Sequence, residues 1–360
     1  MKSLIFIYNN TLDGSYGGSQ GTKKAKEGLE NYFELISYSC RKKSNKVLSF
    51  IYNCLFCSGS LTFKDRANIL KIIKNNRNKL AGIYFDVSLH GILVKKIKKL
   101  YPDIPIIVNY HNCEVKYLFE VVKTLGLLYA PLFLAVWYNE TLSKNYGDYH
   151  IFISSEDKKT IGKFKGQYTI IPVTLKDNFT SATIKSSSLS PYILFIGAAL
   201  HANIGGARFF IDKIAPNVAI KCIIAGKGMR KVFNQNYGQN VEIFDFIEDL
   251  SELFYNASAF ISPLFTGSGA KIKIAEALMY GKKILGTKLS FYGYELERNI
   301  CIECNSADEF IKNINLLDIN KKFYKQARDL YCNNYSEKNI IRYYKPISDF
   351  LNENARIIER

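Results

Sequence analysis

The sequence predicts an α/β protein built from two Rossmann-like, doubly wound parallel-sheet domains. A chain of 360 residues is long enough for two domains, each with its own core. Its hydrophobic content of 48% and aromatic content of 14% are typical of a packed globular protein. Apolar runs alternate with polar helical stretches in both halves of the chain, which predicts βα units and a parallel sheet in each.

In the first half, four apolar runs predict strands and three amphipathic stretches predict helices. The predicted strands are 4–8, 82–86, 104–110 and 150–154, and the predicted helices are 21–32, 90–100 and 114–123. The same rhythm starts again at Tyr192, after a Ser/Thr-rich stretch that has the composition of a linker. We therefore predict a first domain over 1–178, a linker over 179–190, a second domain over 191–335 and a final helical segment over 336–360.

A glycine-rich turn in the second half is the strongest functional signal. The apolar run 259–264 predicts a buried strand, the Gly267-Ser268-Gly269 turn follows it, and good helix formers then continue to Gly281. Glycines allow backbone N–H groups to approach a ligand closely, and a helix N-terminus at Gly269 would favour an anion there. The segment that follows, 271–276, adds charged side chains to this turn.

Two lysines and one glutamate follow the turn in helical spacing. Lys271 and Lys273 place cations at the end of a helix that already favours anions, and Glu276 lies three residues after Lys273 on the same face. This arrangement is suited to a diphosphate and to a neighbouring pair of hydroxyl groups.

The segment 267–281 resembles the donor-site signature of group-1 retaining glycosyltransferases of the GT-B fold. Lys271 stands where the family usually has arginine, whereas Lys273, Glu276, Ala277 and Gly281 fit the pattern. The resemblance implies two Rossmann-like domains that face each other across a cleft. It also implies that the final helical segment packs back toward the first domain.

Other segments of the chain resemble the family in the same order. They are the first strand and loop of the donor domain (192–203), its central strand and turn (223–228), the loop that holds the nucleotide base (246–250) and an N-terminal Gly-Gly turn (14–19). The donor-binding residues that the resemblance implies are Gly17, Gly18, Gly197, His201, Asn203, Gly226, Phe246, Ile247, Ser268, Gly269, Ala270 and Lys271.

His111 lies in a polar corner at the carboxyl end of a predicted strand. The run His111-Asn112-Cys113-Glu114 resembles the His-Asn-x-Glu corner of many family members. A histidine there can hydrogen-bond the donor sugar or position an acceptor hydroxyl. The alternative is a structural histidine that caps the strand. The resemblance thus implies His111, Lys273 and Glu276 as the catalytic set, while Glu140 is expected to be architectural.

The chain departs from the family pattern at two positions. Ser268 stands where many members have a first glutamate, and the loop after Gly197 lacks the arginine that commonly clamps the diphosphate. These departures leave open a catalytically inactive nucleotide-sugar sensor or scaffold. A nucleotide-sugar epimerase or hydrolase on the same fold is the other alternative. The chain has no Asp-x-Asp pair, so we expect metal-independent transfer with retention, and no cofactor beyond the nucleotide diphosphate sugar as substrate.

The net charge of +17 (49 − 32) predicts attraction to polyanions. Four lysines alternate with apolar residues over 93–100, namely Lys95, Lys96, Lys98 and Lys99. This pattern predicts either a solvated helix face or docking on the inner leaflet beside a lipid-linked acceptor. The uncharged stretch 125–138 is too short to span a bilayer and is broken by Pro131, so it predicts a buried helix or an interfacial segment. No nucleic-acid-binding signature accompanies the charge.

The eight cysteines are scattered and do not predict a disulfide framework. Two Cys-x-x-Cys pairs, Cys54/Cys57 and Cys301/Cys304, leave a shared zinc site conceivable, but both lie among apolar residues, which favours reduced packing thiols. We therefore expect a cytoplasmic protein, peripheral on the inner membrane face, that acts on a nucleotide-sugar donor and a glycan or glycolipid acceptor.

Overall fold

A computed structural model describes residues 2–13, 17–40, 53–54, 56–57, 59, 61–180, 190–238, 240–267 and 269–358. The chain divides into two compact units. Unit 1 comprises Met1–Pro172 with Ile340–Arg360, and unit 2 comprises Val173–Asn339. The predicted boundary lay at 178, but residues 173–178 pack with unit 2, where Asp177 pairs with Arg328 (Oδ1–Nη1 2.9 Å). Positions 181–189 of the predicted linker lie outside the described residues.

The sheet of unit 1 is parallel and has the strand order β2-β1-β3-β4-β5-β6. Its central strands β1, β3 and β4 are almost wholly buried, as expected for a parallel sheet that is covered on both faces. The strands are β1 (Ser3–Tyr8), β2 (Glu34–Ser39), β3 (Leu80–Phe85), β4 (Ile106–Tyr110), β5 (Tyr149–Phe152) and β6 (Gln167–Ile170).

Helices cover both faces of this sheet. Thr62 and Asp65 form a capping box at the start of α2, and Ser154, predicted as the end of a strand, instead caps α6. The helices are α1 (Gly17–Glu30), α2 (Phe63–Asn76), α3 (Gly91–Leu100), α4 (Glu114–Leu125), α5 (Ala130–Tyr146), α6 (Ser155–Ile161) and α13 (Ile340–Ile358).

Helix α13 completes unit 1 although it follows unit 2 in the chain. Tyr344 and Leu351 are buried in one core cluster with strand residues of β1 and β3. Two glycines make room for them. A Cβ at Gly28 would lie 2.3 Å from Cδ2 of Tyr344, and one at Gly82 would lie 2.8 Å from Cδ2 of Leu351.

Unit 2 contains a second parallel sheet, with strand order β12-β11-β10-β7-β8-β9. Core clusters lie on both of its faces. The predicted α/β fold class with two Rossmann-like domains is confirmed. The strands are β7 (Tyr192–Ile196), β8 (Lys221–Ala225), β9 (Val241–Phe244), β10 (Ala259–Ser262), β11 (Lys283–Gly286) and β12 (Cys301–Glu303); the helices are α7 (His201–Phe209), α8 (Met229–Val232), α9 (Ser251–Asn256), α10 (Ile272–Met279), α11 (Ala307–Asn315) and α12 (Lys325–Leu330).

Each sheet has a topological switch point, where successive strands leave in opposite directions. In unit 1 it lies between β1 and β3, and in unit 2 between β7 and β10. Crevices at the carboxyl ends of such strands are where open α/β sheets bind ligands. None of the described helices combines the length and the apolarity that crossing a bilayer requires.

Candidate functional site

The glycine-rich turn of unit 2 joins β10 to α10 at the switch point. Gly267 (φ 110°) and Gly269 (φ 68°) both adopt left-handed conformations, which disfavour side chains. Lys271 is extended and is the N-cap, so α10 begins at Ile272. The predicted helix start at Gly269 is therefore wrong by three residues, because the left-handed glycine cannot be part of the helix. Ser268 lies outside the described residues.

The charged side chains of this turn contact one another. Lys273 Nζ lies 2.6 Å from Glu276 Oε2, and the two side chains are 34% and 22% exposed. Lys271 Nζ donates to the Gly269 carbonyl oxygen at 2.6 Å. The turn therefore carries two partly exposed ammonium groups and one carboxylate next to the start of α10. The Ile274 N–H there donates to the Lys271 carbonyl oxygen at 2.8 Å.

The turns after β7 and β8 are packed backbone to backbone. A Cβ at Gly226 would lie 1.8 Å from the Gly197 carbonyl oxygen, so no larger residue fits there. A Cβ at Gly197 would lie 2.7 Å from Asn203 Cγ. The Asn203 side chain donates to the Ala198 carbonyl oxygen at 2.8 Å, so this predicted donor-binding residue also shapes the loop.

The turn after β10 lies beside the first turn of α7. A Cβ at Gly267 would lie 3.5 Å from Cβ of Ala202, and one at Gly206 would lie 2.8 Å from the Pro263 carbonyl oxygen. His201, the first residue of α7, is exposed. The start of α7 and the glycine turn thus border one surface, where an anion would meet N–H groups from both.

The predicted base-binding loop follows β9, the edge strand of this sheet. Phe246 is 70% exposed, whereas Ile247 packs against the core beneath the loop. Ser251 holds the loop's far end, since its N–H donates to Asp249 Oδ1 at 2.8 Å and its hydroxyl lies 2.6 Å from that of Tyr280. Hydrogen bonds to the Asp249 carboxylate from the side chain and the backbone N–H of Ser251 lower the pKa of Asp249. The exposed ring of Phe246 is available to stack on a planar base.

Unit 1 carries a separate polar cluster around a buried aspartate. Asp86 is fully buried at the carboxyl end of β3, and its Oδ1 lies 3.0 Å from Nε2 of His111. Thr22 Oγ1 donates to Oδ2 at 2.5 Å, and Asn109 Nδ2 donates to Oδ1 at 3.3 Å. Sequence reasoning identified His111 but missed Asp86, Thr22 and Asn109. An acidic residue at the end of a strand beside the switch point was the available signal for Asp86.

The Asp86 carboxylate controls the protonation of His111. Burial lowers the pKa of the imidazole, but the adjacent negative charge of Asp86 and its hydrogen bond outweigh this effect, so the pKa is raised above its ordinary value. The ring packs closely on α1, because a Cβ at Gly21 would lie 2.8 Å from His111 Cε1. The His111 side chain is 16% exposed, so it is accessible to a ligand although Asp86 holds its Nε2.

Gly17 and Gly18 form the first turn of α1. The predicted helix start at residue 21 was late by four residues. Asn10 Nδ2 donates to the Gly18 carbonyl oxygen at 3.3 Å and to Thr22 Oγ1 at 2.9 Å. The start of α1 is therefore connected through Thr22 to Asp86. Residues 14–16 of the predicted Gly-Gly turn lie outside the described part of the chain.

Two carboxyl groups approach each other where α5 packs on the start of α4, Glu140 being buried and Glu114 half-buried. Glu140 Oε2 accepts hydrogen bonds from Ser88 Oγ and from the Glu114 backbone N–H, both at 3.2 Å. Burial and the nearby Glu114 carboxyl raise the pKa of Glu140 to about 7. Burial also raises the pKa of Glu114, although His111 opposes this shift. Glu140 thus anchors the corner that presents His111.

The cysteines of the two Cys-x-x-Cys pairs are free thiols. Cys301 and Cys304 are buried, and burial raises their pKa values to about 12 and about 11. Thiols that resist ionisation are poor metal ligands. Over the described ranges, no three His, Cys, Asp or Glu side chains are grouped as a metal site requires.

Comparisons with known proteins match this geometry to a family. Residues 190–318, most of unit 2, match the family model of group 1 glycosyl transferases. No curated protein sequence is significantly similar to this chain. The predicted resemblance to group 1 glycosyltransferases is therefore confirmed over 190–318, the residues that match this family model.

Several solved glycosyltransferase structures share the fold over nearly the whole chain. The Anabaena protein HepE in complex with UDP is 12% identical, with a TM-score of 0.64, and the match covers 98% of this chain and 100% of that one. The lipopolysaccharide outer core galactosyltransferase WaaB is 14% identical, with a TM-score of 0.61, and the match covers 99% of this chain and 100% of that one. A glycosyltransferase from Rickettsia africae is 14% identical, with a TM-score of 0.61, and the match covers 98% of this chain and 99% of that one. At these identities the likeness establishes the fold.

Proposed function

We propose that this protein transfers a sugar from a nucleoside diphosphate donor to a saccharide acceptor, with retention at the anomeric carbon and without a metal ion. The observation that carries the proposal is the glycine turn before α10. It is followed by Lys271, Lys273 and Glu276, its Gly267 lies beside the start of α7, and it falls within the residues that match the group 1 family. The complexes of HepE with UDP, with UDP and glucose and with UDP-glucose support a nucleotide-sugar donor.

The donor diphosphate would bind at the glycine turn. Backbone N–H groups at the starts of α7 and α10 and the ammonium groups of Lys271 and Lys273 would balance its charge. Gly269 has open space beside it and Ala270 follows it in the turn, whereas Gly197 and Gly226 allow the turns after β7 and β8 to pack closely. His201 and Asn203 lie in the first turn of α7, which borders the glycine turn. The nucleotide base would stack at Phe246 and Ile247.

Glu276 would bind the ribose hydroxyls. Its Oε2 is paired with Lys273, so donor binding would redirect the two partners. Lys273 would turn to the phosphate, and the carboxylate would accept hydrogen bonds from the two hydroxyls. The two members of one ion pair would then bind two parts of the donor, Lys273 the diphosphate and Glu276 the ribose.

Transfer breaks the bond between the anomeric carbon and the diphosphate oxygen and forms a bond from that carbon to the acceptor oxygen. The fixed cations and N–H groups would stabilise the leaving diphosphate in place of a divalent cation. The acceptor hydroxyl loses its proton in the step, and the departing diphosphate oxygen, which keeps the electron pair of the broken bond, would accept that proton. The pKa of His111 is raised, so its imidazole favours the protonated form and is suited to donate a hydrogen bond to the sugar rather than to act as the base.

A nucleotide-sugar sensor is the second candidate, and the positions occupied by Ser268 and by the arginine-free loop after Gly197 favour it. A sensor would bind donor without turnover. Incubation with a panel of nucleotide sugars, with and without a polyprenyl-linked glycolipid, separates the candidates. Acceptor-dependent release of nucleotide supports the transferase, acceptor-independent release of sugar supports a hydrolase, a changed donor sugar supports an epimerase, and binding alone supports the sensor.

The acceptor that we propose is a glycan carried on a lipid, with the protein on the cytoplasmic face of the membrane. The net charge of +17 supports attraction to an anionic surface. The fold shared with WaaB, which acts on the lipopolysaccharide outer core, supports a saccharide acceptor of this kind.

A further inference from the structure

The helical hairpin of unit 1, formed by α4 and α5, has an unusually apolar outer surface. Residues 125–138 contain no charged side chain. The two leucines at the hairpin's tip, Leu127 and Leu128, are 81% and 76% exposed. Other large apolar side chains of the hairpin are also exposed, namely Tyr117, Phe119, Leu125, Leu134, Trp137 and Tyr138.

This surface is not a chance scatter of apolar residues. Single exposed leucines are ordinary, but a contiguous group on one supersecondary element marks a site of interaction. The opposite side of the hairpin is already packed, since Leu118, Ala135 and Val136 are buried. Asn139 fixes α5 to α3 by accepting a hydrogen bond from the Ile92 N–H at 3.1 Å. The hairpin is therefore held from within, and its outer face has no packing partner among the described residues.

The chemistry of the exposed side chains fits a bilayer interface. Leucines occupy the tip, whereas Tyr117, Trp137 and Tyr138 carry amphipathic rings of the kind enriched at the membrane–water boundary. Lys123 lies on α4 with its ammonium group 4.3 Å from the centroid of the Phe119 ring and 3.2 Å from Glu120 Oε1, an exposed pair that solvent screens. Long cationic side chains that cover apolar surface in this way can reach lipid head groups.

Charge identifies the partner as an anionic lipid surface rather than a second copy of this chain. Each chain carries +17, so two copies repel each other, whereas an anionic bilayer attracts the protein. Only some of the lysines predicted on α3 are available to attract an anionic surface. Lys98 is paired with Asp148 (2.8 Å) and Lys95 lies over the Tyr146 ring (5.6 Å), which leaves Lys96 and Lys99 as the exposed pair of the four.

The inner side of the same hairpin borders a cavity of about 210 Å³. Leu118, Leu132 and Val136 line it with apolar surface, and Glu114 and Asn139 contribute polar groups. An apolar cavity with a few polar groups suits a small amphipathic ligand. Its position beside an apolar surface agrees with an acceptor that is presented from a membrane.

We infer that the α4–α5 hairpin docks unit 1 on an anionic bilayer by shallow insertion of Leu127, Leu128 and Trp137. The inference rests on the proposed function in one respect, the lipid-linked acceptor, and docking itself requires neither donor nor transfer. Interfacial binding of this kind combines apolar burial with electrostatic attraction.

Trp137 is the single tryptophan of the chain, so it reports directly on insertion. We expect its fluorescence to shift to shorter wavelength when vesicles of phosphatidylglycerol and phosphatidylcholine are added. Brominated lipids should then quench it. An emission spectrum that is unchanged by these vesicles, with no quenching, would overturn the inference.

A double variant tests the tip, and a matched pair elsewhere controls for lost hydrophobicity. Leu127→Glu with Leu128→Glu should weaken vesicle flotation at least about tenfold, which corresponds to ~1.4 kcal/mol. Leu296→Glu with Leu316→Glu alters exposed leucines of unit 2 and should leave flotation unchanged. Thermal unfolding followed by circular dichroism identifies a variant that fails to fold. Equal flotation of the tip variant and the wild type would refute insertion.

Two further measurements separate the other outcomes. Lys96→Gln with Lys99→Gln should reduce binding at low salt and leave the Trp137 shift at saturating lipid in place, because salt screens charge but not apolar burial. Sedimentation without lipid tests a second copy as the partner, and a dimer that the tip variant dissociates would overturn the membrane assignment. Transfer to a soluble acceptor analogue is measured separately. Flotation without transfer would therefore count against the proposed function alone, and transfer without flotation against the hairpin.

Discussion

Lys273 and Glu276 form an ion pair in the first turns of α10, with Nζ 2.6 Å from Oε2. Both groups are assigned to the donor, the lysine to phosphate and the carboxylate to ribose. The pair therefore holds two ligand-binding groups in place before the ligand arrives. Because both side chains are partly exposed, their mutual attraction is screened and the pair can open at small cost.

Replacement of Glu276 tests this assignment. Glu276→Ala should weaken nucleoside diphosphate binding roughly 10- to 150-fold, because a hydrogen bond that a charged carboxylate accepts is worth ~1.5–3 kcal/mol. Calorimetric titration with the nucleotide measures the loss. Glu242→Ala is the matched control, since Glu242 also pairs with a lysine of unit 2, Lys221, on an edge of the sheet. Equal nucleotide affinity of the Glu276 variant and the wild type would remove Glu276 from the donor site.

Chelation tests the charge balance at the diphosphate. We expect transfer activity to survive EDTA, because Lys271, Lys273 and two helix N-termini supply the positive charge. Lys273→Met should lose donor binding under the same conditions, with or without added Mg²⁺. A strict metal requirement that Mg²⁺ or Mn²⁺ restores would contradict this mechanism.

The pair formed by His111 and Asp86 predicts a pH dependence of stability. The folded-state pKa of His111 is raised above 6.5, so the pair's contribution is fully present below pH 6.5 and is lost as pH rises through the folded-state pKa. His111→Gln should therefore reduce the free energy of unfolding more in mildly acidic solution than in alkaline solution. Urea titrations of both proteins across this range measure the difference, and a pH-independent difference would show that the imidazole is not charged by Asp86.

Glu140 predicts a pH dependence of the same sign over a lower range. Its pKa is raised from 4.5 to about 7, so the folded protein binds a proton that the unfolded chain releases, and stability falls as pH rises from 4.5 to about 7. The full effect is roughly 3 kcal/mol. Glu140→Gln, which mimics the protonated form, should be the more stable protein above neutral pH and nearly equal to the wild type in acid. Parallel pH profiles of the two proteins would disprove the shift.

The central elements of both sheets could be predicted because they are buried on both faces. The apolar runs of β1, β4 and β7 stand out for this reason. The edge strands β2 and β6 were missed. Their side chains are mostly half-buried or exposed, so their sequences lack a continuous apolar run. The stretch 125–138 was predicted as a buried helix or an interfacial segment, and most of it belongs to α5. The bounds of this helix were not predicted, because its low amphipathicity hides the helical period.

The candidate site could be predicted only where one segment contains it. Residues 267–276 are consecutive in the chain, so the spacing of Lys273 and Glu276 on one helix face could be predicted from the sequence. Asp86 and His111 are 25 positions apart and meet because β3 and β4 are adjacent and parallel. A single sequence does not give the pairing of strands, and Thr22 joins the cluster only through the position of α1. The roles of the donor-site residues stay predictions.

The position of α13 has a consequence for the order in which the polypeptide acquires its structure during synthesis. The ribosome completes all of unit 2 before it reaches Ile340, yet Tyr344 and Leu351 fill grooves over Gly28 and Gly82 in unit 1. Residues 1–172 therefore emerge with part of their core surface uncovered until α13 has been translated. A nascent chain that stalls after unit 2 would expose this apolar surface to chaperones and proteases even though most of its strands are already made.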